Sequence, residues 1–77
     1  MDIKQNLKDY IAKSFKAKIA DNDNLFSIGA LDSLGIMSLV QHIEEVLSVT
    51  LDPEDITADN FESLNNIEKL VTSKVRV

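Results

Sequence analysis

Apolar residues recur mainly at spacings of three and four in the first segment of the chain, with polar residues between them. These apolar positions are Ile3, Leu7, Tyr10, Ile11 and Phe15. Such spacing places one apolar stripe along the side of a helix. The pattern predicts an amphipathic helix over about residues 2–16.

A long loop is predicted next, over about residues 20–31. Asp21, Asn22, Asp23 and Asn24 open it, and Gly29 lies near its end. These residue types favour turns. The apolar residues of this segment are Leu25, Phe26 and Ile28, and we expect all three to anchor the loop to the core. Loops of this length in small domains usually serve function.

A second helix is predicted to begin at Asp32 or Ser33, since either side chain can cap free backbone amides, and to end at about Leu47. Its inward stripe should be Ile36, Leu39, Val40, Ile43 and Leu47. Leu34 and Met37 lie on the opposite side of this helix. They are therefore expected to be exposed.

Two further helices complete the pattern. A short helix is indicated at residues 52–55. Asp52 is a capping acid, Pro53 suits a first helical position, and the acids Glu54 and Asp55 favour a helix N-terminus. A last helix is marked by Phe61, Leu64, Ile67, Leu70 and Val71, with Ser63 as its cap and Lys69, Lys74 and Arg76 near its negative end. No segment alternates as a strand would. The predicted fold is all-α, a small bundle of three main helices plus one short helix in a single domain over residues 1–77.

Size and charge narrow the possible functions. A chain of 77 residues is too small for an elaborate enzyme with a deep active-site cavity. Its net charge of -5 disfavours nucleic acid and anionic membranes as partners and favours proteins with basic patches. The chain has no cysteine, so we expect no thiolate metal site, and it has no apolar run of transmembrane length, so we expect a cytoplasmic location. We expect a monomer because no second apolar stripe is left exposed on the predicted helices.

Ser33 is the candidate for a chemical role, because it follows the long loop and lies at the N-terminus of the second helix. Free amides and the helix dipole stabilise a phosphate at such a position, so a phosphodiester on Ser33 would be electrostatically favourable. The alternative is that Ser33 only caps the helix.

An adjacent surface could receive a partner protein. Leu34 and Met37 are followed on the outward face of the second helix by Gln41, Glu44 and Glu45. An apolar centre with an acidic end is typical of a docking surface for a basic partner.

Leu31-Asp32-Ser33-Leu34, preceded by Gly29 and followed by Glu44 and Glu45, resembles the acyl carrier protein family. The resemblance extends over nearly the whole chain. It implies that a phosphopantetheinyl transferase esterifies Ser33 with 4'-phosphopantetheine from coenzyme A, assisted by Asp32. The arm's thiol would carry acyl cargo as a thioester between loading ligases, synthases and acyltransferases, and the protein itself would catalyse nothing. The bundle interior would shelter an acyl chain, as in fatty-acid members.

The chain also departs from that family's primary fatty-acid members. They usually have acids soon after Asp-Ser-Leu, where this chain has Gly35 and Ser38, and His42 faces sideways from the second helix. These differences indicate a specialised carrier, in a lipid or polyketide pathway or of an aminoacyl kind, D-alanyl-type or peptidyl. A rival hypothesis from another class is an unmodified helical interaction module that binds a protein through Leu34 and Met37.

Two other kinds of chemistry are disfavoured. His42 follows Ser33 by nine positions, which corresponds to roughly 13 Å along a helix and is too far for a catalytic dyad. In the acidic loop, Leu25 and Phe26 stand where a calcium loop needs an oxygen ligand and a glycine. We therefore predict neither a hydrolase nor a metal site.

Overall fold

The computed structural model describes residues 2–16, 18–29 and 31–75. Within these ranges the chain forms three α-helices, α1 (Ile3–Phe15), α2 (Ser33–Val46) and α3 (Leu64–Lys74), and a single-turn 3-10 helix (Pro53–Asp55). The described residues contain no strand. The predicted all-α class is confirmed, with the short helix as one 3-10 turn rather than a fourth α-helix.

Local capping explains where the helices begin and end. The side chain of Asp2 accepts a hydrogen bond from the Gln5 amide and starts α1, and Lys16 ends it in the left-handed conformation with φ 52°. Ser63 caps α3 by accepting from the Asn66 amide, as predicted. These contacts satisfy backbone groups that a helix end leaves without partners.

The loop before α2 differs from its prediction in one residue. Leu25 is fully buried, but Ile28 is 48% exposed, so the expectation that Ile28 anchors the loop was wrong. The side chain of Asn24 accepts from the Phe26 and Ser27 amides, and its carbonyl accepts from the Ile28 amide. The resulting turn directs Leu25 inward and Ile28 toward solvent.

The 3-10 helix is tied to the end of α3. Asp52 and Asp55 form a capping box around it, and Lys74 donates to Asp55 at 2.8 Å and to Asp52 at 3.4 Å. The hydrogen bond from Lys74 lowers the pKa of Asp55 from its ordinary value. Lys74 was predicted only to face the helix dipole. Arg76, predicted alongside it, lies outside the described residues.

Aliphatic side chains from all three α-helices meet in one core. The largest fully buried side chains are Leu7, Ile11, Leu25, Leu39, Ile43, Phe61, Leu64, Ile67 and Val71. Helix α1 packs directly against α3. Ile36 of α2 and Leu47, which directly follows that helix, are only partly buried but pack on this core, in agreement with the predicted inward stripe. Among the described residues, no helix is both long and apolar enough to cross a membrane.

Candidate functional site

Asp32, not Ser33, caps α2. Its Oδ1 accepts a hydrogen bond from the Gly35 amide at 2.7 Å, and its carbonyl accepts from the Ile36 amide. Ser33 is the first residue of the helix and is exposed. Within the described residues its hydroxyl has no hydrogen-bond partner. The sequence left two candidates for the cap, and the structure assigns that role to Asp32.

The surroundings of Ser33 fit a covalently attached phosphate. The Ser33 and Leu34 amides have no acceptor within the part of the chain that the structure describes. They lie at the N-terminus of α2, where the helix dipole is positive. A phosphodiester on the Ser33 hydroxyl would therefore lie beside free donors while remaining accessible to an enzyme.

Gly35 allows α1 to approach the first turn of α2 closely. A Cβ atom built on Gly35 would lie 3.0 Å from Cε1 of Phe15 and 3.2 Å from Oδ1 of Asp32. Gly35 is buried by this contact. In the sequence analysis, Gly35 was noted only because primary fatty-acid carriers usually have acidic residues soon after Asp-Ser-Leu. Its structural reason is the Phe15 ring, which the one-dimensional pattern could not place.

The outward face of α2 exposes the residues predicted to bind a partner. Leu34 is 80% exposed and Met37 60% exposed. Glu45 is exposed and accepts from the Gln41 side chain at 3.1 Å. Glu44 differs, since its Oε2 accepts from the Leu51 amide at 3.2 Å. Glu44 therefore helps to hold the segment after α2, whereas the hydrogen bond between Glu45 and Gln41 lies within α2.

His42 joins α2 to α1. Its ring stacks on Tyr10 with centroids 4.0 Å apart, and its Nε2 lies 2.8 Å from Oδ1 of Asn6. Partial burial lowers the pKa of His42 from its ordinary value, so the ring is neutral at pH 7. The described residues contain no cluster of three or more side chains suited to a metal. Sequence reasoning placed His42 on the side of the helix but missed its stacking partner.

Described residues away from Ser33 form two surface cavities of measurable volume. The larger, of about 430 Å³, lies along α3 and is lined by Asp59, Asn60, Asn66, Lys69, Leu70 and Ser73. The smaller, of about 250 Å³, lies between α1 and α2 and is lined by Tyr10, Ser38, Gln41, His42, Glu45 and Val46. Both cavities are open to solvent.

Comparison with known proteins places this geometry in context. The family described as "Phosphopantetheine attachment site" matches residues 5–72. The D-alanyl carrier proteins of Streptococcus mutans and Streptococcus sanguinis are each 28% identical over 74 residues, which cover 94% of this chain and 94% of theirs. The D-alanyl carrier protein of Streptococcus suis is 25% identical over 69 residues, 87% of each chain.

Proposed function

The chain belongs to the phosphopantetheine attachment family, and on that premise we propose that it is a D-alanyl-type aminoacyl carrier whose arm is attached to Ser33. Members of this family bear covalent 4'-phosphopantetheine and act as carrier modules rather than enzymes. The observation that carries the cargo assignment is the match, over 94% of the chain, to relatives named D-alanyl carrier protein. The expectation of a fatty-acid carrier has less support than this aminoacyl alternative.

The structure supports Ser33 as the attachment residue because its hydroxyl is exposed and not used for capping. In the attachment reaction, Oγ of Ser33 forms a bond to the phosphorus of phosphopantetheine, the bond to the nucleotide part of coenzyme A breaks, and the serine proton passes to a base of the transferase. The amides at the start of α2, which have no acceptor among the described residues, would stabilise the new phosphodiester. The attached group supplies a thiol that holds the cargo as a thioester.

Asp32 contributes to this site by position. One of its carboxylate oxygens holds the Gly35 amide at 2.7 Å, which fixes the first turn of α2 and therefore the direction of Ser33. Its other oxygen has no hydrogen-bond partner among the described residues. We assign to that oxygen the assistance that the family resemblance implies.

Partner enzymes would dock on the outward face of α2. Leu34 and Met37 offer apolar contact area beside Ser33, while Gln41, Glu44 and Glu45 continue the face with polar and acidic groups. Charge of this sign steers a basic partner and raises its association rate. The partners expected on this basis are a phosphopantetheinyl transferase and an aminoacyl-loading ligase.

A small cargo also suits the interior better than a fatty acyl chain. The space between the helices is filled by fully buried side chains, among them Leu39, Ile43 and Phe61. The two cavities described above are open surface depressions, not enclosed apolar pockets. A long acyl chain would have to displace core side chains to find apolar surroundings, which close packing makes costly. A D-alanyl group needs no such space.

Intact-mass spectrometry tests the attachment residue. After incubation with coenzyme A, magnesium and a phosphopantetheinyl transferase, the wild type should gain one phosphopantetheine and Ser33→Ala should gain none. Ser38→Ala is the matched control, because Ser38 is also an exposed serine of α2, and it should be modified like the wild type. If Ser33→Ala is modified, the attachment residue is wrong. If the wild type gains no mass with several transferases, the carrier assignment fails and the rival hypothesis of an unmodified interaction module is favoured.

A further inference from the structure

A groove lies between α1 and α2, beside the face assigned to partner docking. The α1–α2 groove has a volume of about 250 Å³ and is formed by Tyr10 together with Ser38, Gln41, His42, Glu45 and Val46. Gln41 and Glu45 also belong to the outward face of α2. The groove therefore extends that face around the side of the helix toward α1.

The aromatic part of the groove is held in place by three contacts. Tyr10 and His42 stack with an interplanar angle of 24°. The Tyr10 hydroxyl donates to the Ser38 carbonyl at 3.2 Å, and His42 is bound to Asn6 at 2.8 Å. Both rings are partly exposed. Rings fixed in this way present a flat surface whose ordering costs little when a ligand binds.

The polar atoms left over in the groove are mainly hydrogen-bond acceptors. Oδ1 of Asn6 can only accept, so Nε2 of His42 donates to it and Nδ1 is left without a proton. One N–H of the Gln41 amide donates to Oε1 of Glu45, which leaves the Gln41 oxygen and Oε2 of Glu45 as acceptors. The donors that remain are the second Gln41 N–H and the Ser38 hydroxyl. The Tyr10 proton is already engaged. Acceptors outnumber donors in the groove, so a ligand rich in donors suits it best.

The groove also carries a negative charge without a counterion. Elsewhere in the described ranges, Asp21, Glu68, Asp52 and Asp55 pair with lysines. Glu45 forms no ion pair within those ranges. The unpaired carboxylate favours a cationic ligand over a neutral donor.

We propose that the α1–α2 groove binds an arginine side chain of the enzyme that loads the carrier. A guanidinium is planar, cationic and has five N–H donors and no acceptor, which complements an acceptor-rich groove with an aromatic surface. It can lie on a ring face by cation–π attraction while it donates to Glu45. Val46, which is 46% exposed, offers apolar contact to the methylenes of the same side chain. Only the identity of the partner rests on the proposed function.

An NMR titration of the isotope-labelled, unmodified carrier tests the site itself. N-acetyl-arginine amide should shift the backbone amides of Tyr10, His42 and Glu45 in a saturable way. N-acetyl-lysine amide should act more weakly, because its ammonium lacks the planar fork of donors. Glu45→Gln should weaken the arginine-dependent shifts, whereas Glu54→Gln should not. Glu54 is an exposed acid of the 3-10 helix, so this control changes the net charge equally away from the groove. Equal shifts along all acidic segments would overturn the proposal.

Loading kinetics test the partner. With a D-alanine-activating ligase and the phosphopantetheine-bearing carrier, Glu45→Gln should raise KM about two- to fivefold, the loss expected for one exposed charged contact, with kcat unchanged. Glu54→Gln should change KM less. If both variants behave alike while the wild type is loaded, the groove does not contact this enzyme and the inference fails. If the wild type is not loaded at all, the proposed function fails, and the titration still decides the site.

Discussion

Replacing Gly35 with alanine tests whether α1 is packed against the first turn of α2 as the structure shows. In an isolated helix this substitution is favourable, because alanine forms helices more readily than glycine by about 1 kcal/mol. Here the new Cβ would lie 3.0 Å from the Phe15 ring and 3.2 Å from the Asp32 oxygen that caps the helix. Both neighbours would have to move by a few tenths of an ångström.

The two effects oppose each other, and the unfavourable one should be larger. Overpacking at a close contact typically costs about 1–3 kcal/mol. Any displacement of Asp32 also weakens a cap worth about 0.5–2 kcal/mol. Against a propensity gain of at most about 1 kcal/mol, we predict that Gly35→Ala lowers the free energy of unfolding by about 1 kcal/mol. For a domain of this size, that corresponds to a Tm decrease of about 4–8 °C.

Urea unfolding followed by circular dichroism measures this change, and a double-mutant cycle assigns its cause. In a Phe15→Leu background the ring is gone, so Gly35→Ala should become neutral or stabilising, with a coupling energy of about 1 kcal/mol or more. Ser38→Ala is the propensity control in the same helix. An increase in stability of about 1 kcal/mol for the single variant would refute the close packing of Phe15 on Gly35.

Two further predictions concern α2. Leu39→Ala, at a fully buried position, should lower the free energy of unfolding by about 2–5 kcal/mol. Met37→Ala, at a position 60% exposed, should change it by less than about 0.5 kcal/mol. Thermal melts that rank the two variants the other way would show that the two faces of α2 are assigned wrongly. Burial lowers the pKa of His42 in the folded state, so the unfolded chain binds the proton more readily. Stability should therefore fall as the pH drops from about 6.5, the ordinary histidine pKa, toward the lower folded pKa. In urea titrations across this window His42→Gln should lack that part of the decrease, and equal pH dependence of both proteins would contradict the burial of His42.

Much of the fold could be predicted from the sequence because its helices begin with local signals. Asp2 and Ser63 cap their helices within three residues, and Pro53 starts the 3-10 turn. Apolar spacing then identifies which side of each helix is buried. The orientation of Ile28 could not be predicted in this way, since it depends on the turn closed by Asn24.

In the candidate site, too, features set by local sequence could be predicted and contacts between segments could not. Ser33 and Asp32 could be proposed from the sequence because the motif coincides with a predicted helix start. The contact of Phe15 with Gly35 and the stacking of Tyr10 on His42 were not, because both depend on how α1 lies against α2. The bond from the Leu51 amide to Glu44 was missed for a similar reason. Periodicity assigns a residue to a face of its helix but does not say which other segment meets it there.

Loading with D-alanine tests the central claim most directly. The phosphopantetheine-bearing wild type is incubated with ATP, D-alanine and a D-alanine-activating ligase, and its intact mass is compared with that of unmodified protein treated in parallel. We predict one D-alanyl group on the modified protein, released by hydroxylamine as a thioester should be, and none on the unmodified protein or on Ser33→Ala. A protein that stays unloaded with D-alanine but accepts a fatty acyl group from an acyl-activating enzyme would contradict the account.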